Sequence, residues 1–461
     1  MTRRVAIYGG SFNPPCVHHR VIVSTLAEHF DEVIVVPCGP RPDKPTTNDV
    51  APIARAAMVD MNFGDLPKVR VELFDLEQAS FTRTHELAER FANEGETWIV
   101  VGTKLVRGGA DNRSFIQTKW ERGEEIWQNL SYAVVVREDE ELNEDDLPPN
   151  HTVFRPPCRG TSKAVRERVF NHDSVLGMVM PRVDSYIERC WLYRGRLPVR
   201  SMALELPKPR LFIVTDERNE KAKELADMYR KYENEECPNC ICVFGGDGTM
   251  LGAIRDHWRK RLPFLGVNAG HRGFLLNGCE DFEGGKFPKK DLTIQQSPLL
   301  YIEVENEDGT RSEALAFNDV WVERASSQTA WVNVRVDGEQ RLERMMGDGI
   351  LVATAAGSTA YARAMGATPL LIDNPALILV GSNVMEPPGW TSALLSLDSQ
   401  VEFRAVASEK RPLVGFADGR PLGRVKWMSV RVSRISSAEL VFCSGHDIVE
   451  KIAQLQFPET K

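Results

Sequence analysis

The chain has no apolar run approaching membrane-spanning length; stretches such as Ala376–Val380 and Val33–Pro37 are the size of buried strands. It has no excess of basic residues either. Fifty-seven lysines and arginines face 65 aspartates and glutamates, a net charge of −8 that suits solubility and gives no support to a long polyanion as partner. Neither nucleic acid nor a membrane is therefore expected as a partner. The amino terminus, MTRRVAIYGG, runs straight into a strand without the charged, apolar and small-residue regions of a secretory signal. Nine cysteines, an odd number scattered over 461 residues, fit reduced thiols in a cytoplasm better than a disulfide framework. Cys237-x-x-Cys240-x-Cys242 lacks the second CxxC pair of a zinc site, although Cys279 is a candidate fourth ligand. Buried or loop cysteines beside a strand are the preferred reading, and no metal site is assigned.

What is present is a chain too long for one core, with 42% apolar and 26% charged residues. The first half alternates strand-like runs (Val5–Tyr8, Glu32–Pro37, Val69–Phe74, Thr97–Val101) with helical patterns (Val21–Phe30, Pro52–Met61, His85–Asn93). Strands near Tyr132–Val136 and Thr152–Phe154 follow, then helices near Ala164–Phe170 and Arg182–Cys190. This order predicts an α/β domain over residues 1–195: a Rossmann-like, doubly wound parallel sheet with ligands at the carboxyl ends of its strands. Residues 196–208 carry prolines and no sustained period, and read as a linker. A second domain over 209–461 starts as α/β (209–291). From about Leu292 the texture becomes β-rich (292–461), as in the alternating Trp331–Val336 closed by Asp337-Gly338.

Two elements carry the chemistry of the second half. Gly245-Gly246-Asp247-Gly248-Thr249 lies between a strand and a helix, where glycines let main-chain N–H groups close around phosphate oxygens and the helix start adds partial positive charge. Gly357-Ser358-Thr359-Ala360-Tyr361 follows a buried strand that begins at Gly347-Asp348-Gly349; it offers hydroxyls, backbone donors and a flat aromatic face. With GVNAGHRGFL at 266–275 and Phe317-Asn318-Asp319, these motifs make residues 209–430 resemble the NAD kinase family. Asp418-Gly419 is a further family-like turn.

The resemblance implies that Asp247 removes the proton from the NAD 2′-hydroxyl, while Gly245, Gly246, Gly248 and Thr249 hold the donor phosphates. It implies that Asn318, Asp319, Asp348, Thr359, Ala360 and Tyr361 hold NAD. It further implies ATP with Mg²⁺ as donor, and a homo-oligomer. One base plus a phosphate cradle is a sufficient kit, because phosphoryl transfer needs positioning and charge neutralisation more than covalent help. The chain departs from the family pattern at Gly381–Trp390, GSNVMEPPGW, which bears on the acceptor end. A lipid kinase shares the GGDGT loop and is the alternative; it lacks the GSTAY element.

In the first half, Gly9-Gly10-Ser11-Phe12-Asn13-Pro14-Pro15-Cys16-Val17-His18-His19 follows the first strand. This resembles the nicotinamide or nicotinate mononucleotide adenylyltransferases, whose pattern is GGSFNPPHxGH, over residues 3–192. Ser80-Phe81-Thr82, Gly102, Trp120, Trp127 and Arg166 are further matches. The resemblance implies ATP against Gly9, Ser11, Phe12, His18 and Ser162, with His19 and Arg166 stabilising charge on the transferring phosphate. It implies the mononucleotide against Lys44, Thr82 and Trp120, the indole stacking on the pyridine ring. Four positions depart from the pattern: Cys16 replaces a histidine, His18 a glycine, Lys163 a threonine, and Lys104 an aspartate. Two readings follow. The domain makes NAD from mononucleotide and ATP, or it is a catalytically inactive nucleotide-binding or assembly module. Adjacent residues at a helix start are expected to face different ways, so His18 is not assumed to replace the missing imidazole.

Overall fold

The computed structural model describes residues 3–41, 44, 47, 50–193, 201–270, 273–278, 282, 284–288, 292–443 and 448–457. The chain forms two compact units, Met1–Val199 and Arg200–Lys461.

The first unit is built on six parallel strands: β1 (Arg4–Gly10), β2 (Glu32–Pro37), β3 (Val69–Val71), β4 (Glu96–Gly102), β5 (Ser131–Val135) and β6 (His151–Phe154). Their order is β3-β2-β1-β4-β5-β6. Val5, Ile7, Ile34, Val36, Ile99, Val101, Tyr132 and Val134 supply the core beneath one face of this sheet. Helices cover both faces, so the central strands read as continuous apolar runs rather than alternating ones. The strand order reverses between β1 and β4, and the crevice beyond their carboxyl ends, at Gly10 and Gly102, is where such a sheet takes ligands.

Two local features differ from the sequence reading. The helix after β1 runs Val17–His29, a full turn earlier than the periodicity predicts, which places His18 and His19 in its first turn. The third strand stops at Val71 because Phe74 opens a short helix, Phe74–Gln78.

The second unit joins a small parallel sheet to an antiparallel one. Strands β8 (Leu211–Thr215), β9 (Cys240–Gly245) and β10 (Phe264–Asn268) are parallel neighbours, with helices Glu220–Tyr229 and Asp247–His257 following β8 and β9. The antiparallel part holds β12 (Arg311–Ala316), β13 (Asp319–Arg324), β14 (Ala330–Val336), β15 (Glu339–Gly347), β16 (Gly349–Ala353), β17 (Ala376–Ser382), β18 (Ser392–Ser396), β19 (Val401–Ala405) and β20 (Leu413–Ala417). The alternating run at β14 is buried at every second residue and turns through Asp337 and Gly338, both at positive φ (53° and 78°), as a two-residue hairpin requires.

Two long strands belong to both parts, so residue 292 is not a clean internal boundary. β21 (Arg420–Cys443) pairs with β20 and β19 along its first half and with β10 near its end; β11 (Leu292–Asn306) runs antiparallel beside it almost throughout. Within the stretch read as a linker, Ser201–Leu204 forms an edge strand, β7, paired antiparallel with Leu292–Gln295. The start of that stretch, residues 196–200, lies outside the described residues.

Candidate functional sites

Strand β9 is buried throughout and ends at Gly245; Gly246 then caps a helix whose first residue is Asp247. The Asp247 carboxylate accepts the main-chain N–H groups of Phe274 (3.1 Å) and Leu275 (3.0 Å), so the GVNAGHRGFL segment fixes its orientation. Burial raises its proton affinity, and those two hydrogen bonds and Lys451 offset part of the rise. Space is open where a Cβ would stand on Gly246 or Gly248. Gly245 is different: a Cβ there would meet Thr249 Oγ1 at 2.5 Å, so the threonine side chain folds back over the strand end. His271 and Arg272 of the GVNAGHRGFL segment lie outside the described residues.

The Asn318-Asp319 pair sits at the entry to β13, clamped from the far end of the unit. The Asp418 carboxylate accepts N–H groups from Phe317 (2.6 Å), Asn318 (2.8 Å) and Asp319 (3.1 Å). Asn318 O in turn accepts the N–H of Thr354, and a Cβ on Gly357 would stand 2.1 Å from that same oxygen. The GSTAY loop is therefore pressed against the Asn-Asp turn, backbone to backbone. Asn318 Oδ1 is a buried acceptor without a hydrogen-bond partner. Burial, reinforced by the neighbouring Asp418 carboxylate, pushes the Asp319 carboxyl up to about 7.

Within the GSTAY loop, Ser358, which was not among the predicted contacts, is wholly buried; its hydroxyl donates to Ala355 O (2.6 Å) and accepts from Leu370 N–H (2.8 Å), locking the loop. Thr359 donates to Ala356 O (3.3 Å), and Ala360 links that turn to Tyr361, which is 41% exposed with its ring against Trp321 (centroids 5.1 Å). Asp348, in the turn before β16, accepts from Asn383 (2.6 Å) and Arg324 (2.7 Å), which hold its carboxyl below the usual range. Asn383 belongs to Gly381–Trp390, so the stretch that departs from the family pattern touches Asp348. Arg324 had no sequence signal at all.

In the first unit, the turn after β1 gathers most of the predicted residues. Lys44 Nζ donates to Ser11 Oγ (2.8 Å), Arg166 to Asn13 O (2.5 Å) and Ser162 Oγ to Pro14 O (2.8 Å). Gly9 has open space at its Cβ position. Phe12 is buried at a φ of 41°, its ring packed edge-on against Tyr8, His19 and Phe63, so only its main chain can reach ATP.

His19 Nδ1 accepts the N–H of Cys16 (3.0 Å), curling the ring back along the helix start. As a result the His18 and His19 rings lie 3.9 Å apart, correcting the expectation that adjacent residues diverge. Burial keeps both imidazoles neutral, lowering His18 to about 4 and His19 well below the usual value. His18 and Cys16 line a cleft of about 540 Å³ with Gly160, Thr161 and Asp139.

On the substrate side, Thr82 is tied to Asp75 through its hydroxyl (2.6 Å) and its N–H, and Trp120 packs half-buried against the core. Lys163 points to solvent and pairs with Glu167 (3.6 Å); Lys104 is exposed. Cys240 and Cys242 are buried on β9 and Cys237 is exposed; Cys279 lies outside the described residues.

No helix among the described residues is long and apolar enough to cross a membrane. Residues 7–175 match the cytidylyltransferase-like family, and residues 200–282 match the ATP-NAD kinase N-terminal domain. The chain is similar to the NAD kinase of Brucella suis biovar 1 (strain 1330), 35% identical over 237 residues that make up 51% of this chain and 91% of the relative. The NAD kinase of Hyphomonas neptunium (strain ATCC 15444) is 32% identical over 236 residues, again 51% of this chain and 91% of the relative. That of Rickettsia bellii (strain OSU 85-389) is 29% identical over 250 residues, covering 54% and 98%. Carrying nearly the whole length of such relatives behind a cytidylyltransferase-like domain, the chain is a phosphotransferase belonging to the NAD kinase family.

Proposed function

We propose that the second unit transfers the γ-phosphoryl group of ATP, entering as its Mg²⁺ complex, to the 2′-hydroxyl of NAD, with Asp247 as the base. The observation that carries this reading is Asp247 itself: a carboxylate at a helix start, beyond a strand end, oriented by two N–H groups. Each of its oxygens keeps a lone pair for the 2′-hydroxyl proton. Its raised proton affinity suits a base working near neutral pH. Donor phosphates fit over Gly246 and Gly248, whose missing side chains leave room for close approach to main-chain N–H groups. NAD lies against Asn318, Asp319 and the exposed Tyr361 face, with Asp348 on the acceptor ribose side. Asp247→Asn should form NADP at under about a hundredth of the wild-type rate while remaining folded, even though its amide can accept only one of the two N–H groups; retained activity would move the base elsewhere.

For the first unit we propose NAD synthesis: the mononucleotide phosphate attacks the α-phosphorus of ATP and pyrophosphate leaves. Arg166 and Lys44, both anchored to the turn after β1, supply positive charge there, and the neutral His19 leaves a ring N–H for a phosphate oxygen. His18, lying against His19, stands in for the imidazole missing at Cys16. The thiol at Cys16 favours the competing reading, a nucleotide-binding module without chemistry, because burial pushes it up to about 12 and leaves it uncharged. Supplying the full chain with mononucleotide, ATP and Mg²⁺ separates the two. NAD or NADP, or an acid analogue, appears only if this unit is an enzyme, while a parallel reaction given NAD reports the kinase alone.

A further inference from the structure

Among the described residues, one group of three side chains has the composition of a metal site, and it consists of two departures from the adenylyltransferase pattern plus the histidine that the pattern keeps. Ligand atoms of Cys16, His18 and His19 all lie within 4.8 Å of one another. We propose that Cys16, His18 and His19 bind a Zn²⁺-class divalent ion at the mouth of the nucleotide cleft, with its fourth position open to that cleft.

The donor set selects the ion. One thiolate and two imidazoles suit borderline cations such as Zn²⁺ and Co²⁺, whereas Mg²⁺ and Ca²⁺ prefer oxygen ligands. Around a tetrahedral zinc, with Zn–S of about 2.3 Å and Zn–N of about 2.0–2.1 Å, neighbouring ligand atoms stand roughly 3.3–3.6 Å apart. With the ligand atoms within 4.8 Å of one another, the group has to contract by about 1.5 Å at most to reach that spacing. Three protein ligands plus an open position is the arrangement of reactive zinc centres rather than structural ones. The open side is the 540 Å³ cleft lined by Cys16 and His18, where a water or a phosphate oxygen completes the shell.

Both imidazoles are held neutral, the form that ligates. The Cys16 thiol now donates to Pro14 O (3.4 Å) and lies 3.8 Å from Ser162 Oγ, contacts it gives up when it ligates. The nearby guanidiniums are already engaged: Arg137 with Glu140 (2.6 Å) and Gly160 O (2.7 Å), Arg166 with Asn13 O. His19 Nδ1 gives up its hydrogen bond from Cys16 N–H when it takes the ion, leaving its Nε2–H as a donor. Binding releases one proton, from Cys16 Sγ, so affinity rises with pH. The inference stands whether or not the unit transfers adenylyl groups, and it does not involve the kinase.

The test is a Co²⁺ titration of chelator-treated, reduced full-length protein followed by absorbance. The expected result is a thiolate-to-cobalt charge-transfer band and tetrahedral ligand-field bands saturating at about one equivalent, displaced stoichiometrically by Zn²⁺. Cys16→Ser should abolish the charge-transfer band while NADP formation from NAD continues at the wild-type rate. His18→Gly, which restores the pattern's own residue, should weaken binding about tenfold or more. Cys237→Ser should change nothing. Absence of the band from the wild type, its survival in Cys16→Ser, or its loss in Cys237→Ser would overturn the proposal.

Discussion

Asp319 is a buried carboxyl of the kinase unit whose proton affinity the fold raises strongly. In an unfolded chain its carboxyl loses its proton near pH 4, but in the fold burial and the Asp418 carboxylate raise that to about 7. Between those values the folded state holds a proton that the unfolded state has released, so stability falls as pH rises and the loss is complete above the folded value. The melting transition of the ligand-free kinase unit should therefore lie lower at pH 8 than at pH 5, whereas the lowered His18 and His19 act with the opposite sign in the first unit. Asp319→Asn should flatten much of the kinase unit's slope in a thermal-shift series. An unchanged slope in the variant would show that another group controls the transition. Asp319 was legible in the sequence as half of an Asn-acidic pair, and Asp418 as a turn. Their juxtaposition was not, because it depends on β20 pairing beside β13 across roughly a hundred residues of chain. His18 and His19 were misjudged for a more local reason: periodicity sets where Cβ atoms point, but His19 bends back to reach the Cys16 N–H.

Two glycine-bearing loops of the kinase unit should respond to the same substitution in opposite ways. In the GSTAY loop, Gly357→Ala would drive a methyl group to within 2.1 Å of the Asn318 carbonyl oxygen, backbone that cannot step aside without moving the Asn-Asp turn. We expect a lower melting temperature and a KM for NAD raised about tenfold or more, as a misplaced binding loop of this kind produces. In the GGDGT loop, Gly248→Ala points into open space, so the melting temperature should hold while the KM for ATP rises. Equal thermal losses in the two variants would contradict this division. Strands could be read from the sequence where buried runs such as β9 and the β14 alternation carry strong patterns. Ser201–Leu204 could not, since an edge strand of four residues is defined by its partner, β11, rather than by its own composition.

For the molecule as a whole, the division at residue 199 gives a test of whether the kinase unit works independently of the first unit. A truncated protein beginning at Arg200 keeps β7 and should make NADP from NAD at a rate close to that of the full chain. One beginning at Leu206 leaves the Leu292–Gln295 edge of β11 unpaired; it should melt several degrees lower and aggregate more readily. Loss of kinase activity in the Arg200 protein despite a folded circular dichroism spectrum would assign the first unit an obligatory role in the second.

The long pair β11 and β21 also governs how the kinase unit can move. The β11–β21 ladder runs from the small parallel sheet into the antiparallel layer, with its register shifting between Pro298 and Leu300 and again between Glu305 and Asn306, so two long strands tie the two parts together. Amide protons along that ladder should exchange with solvent only through global opening, at a rate tied to overall unfolding, while those of the Gly381–Trp390 turn exchange far sooner. Exchange ordered in that way would mean that the kinase unit keeps a stiff frame and leaves its motion to the turns at the rim.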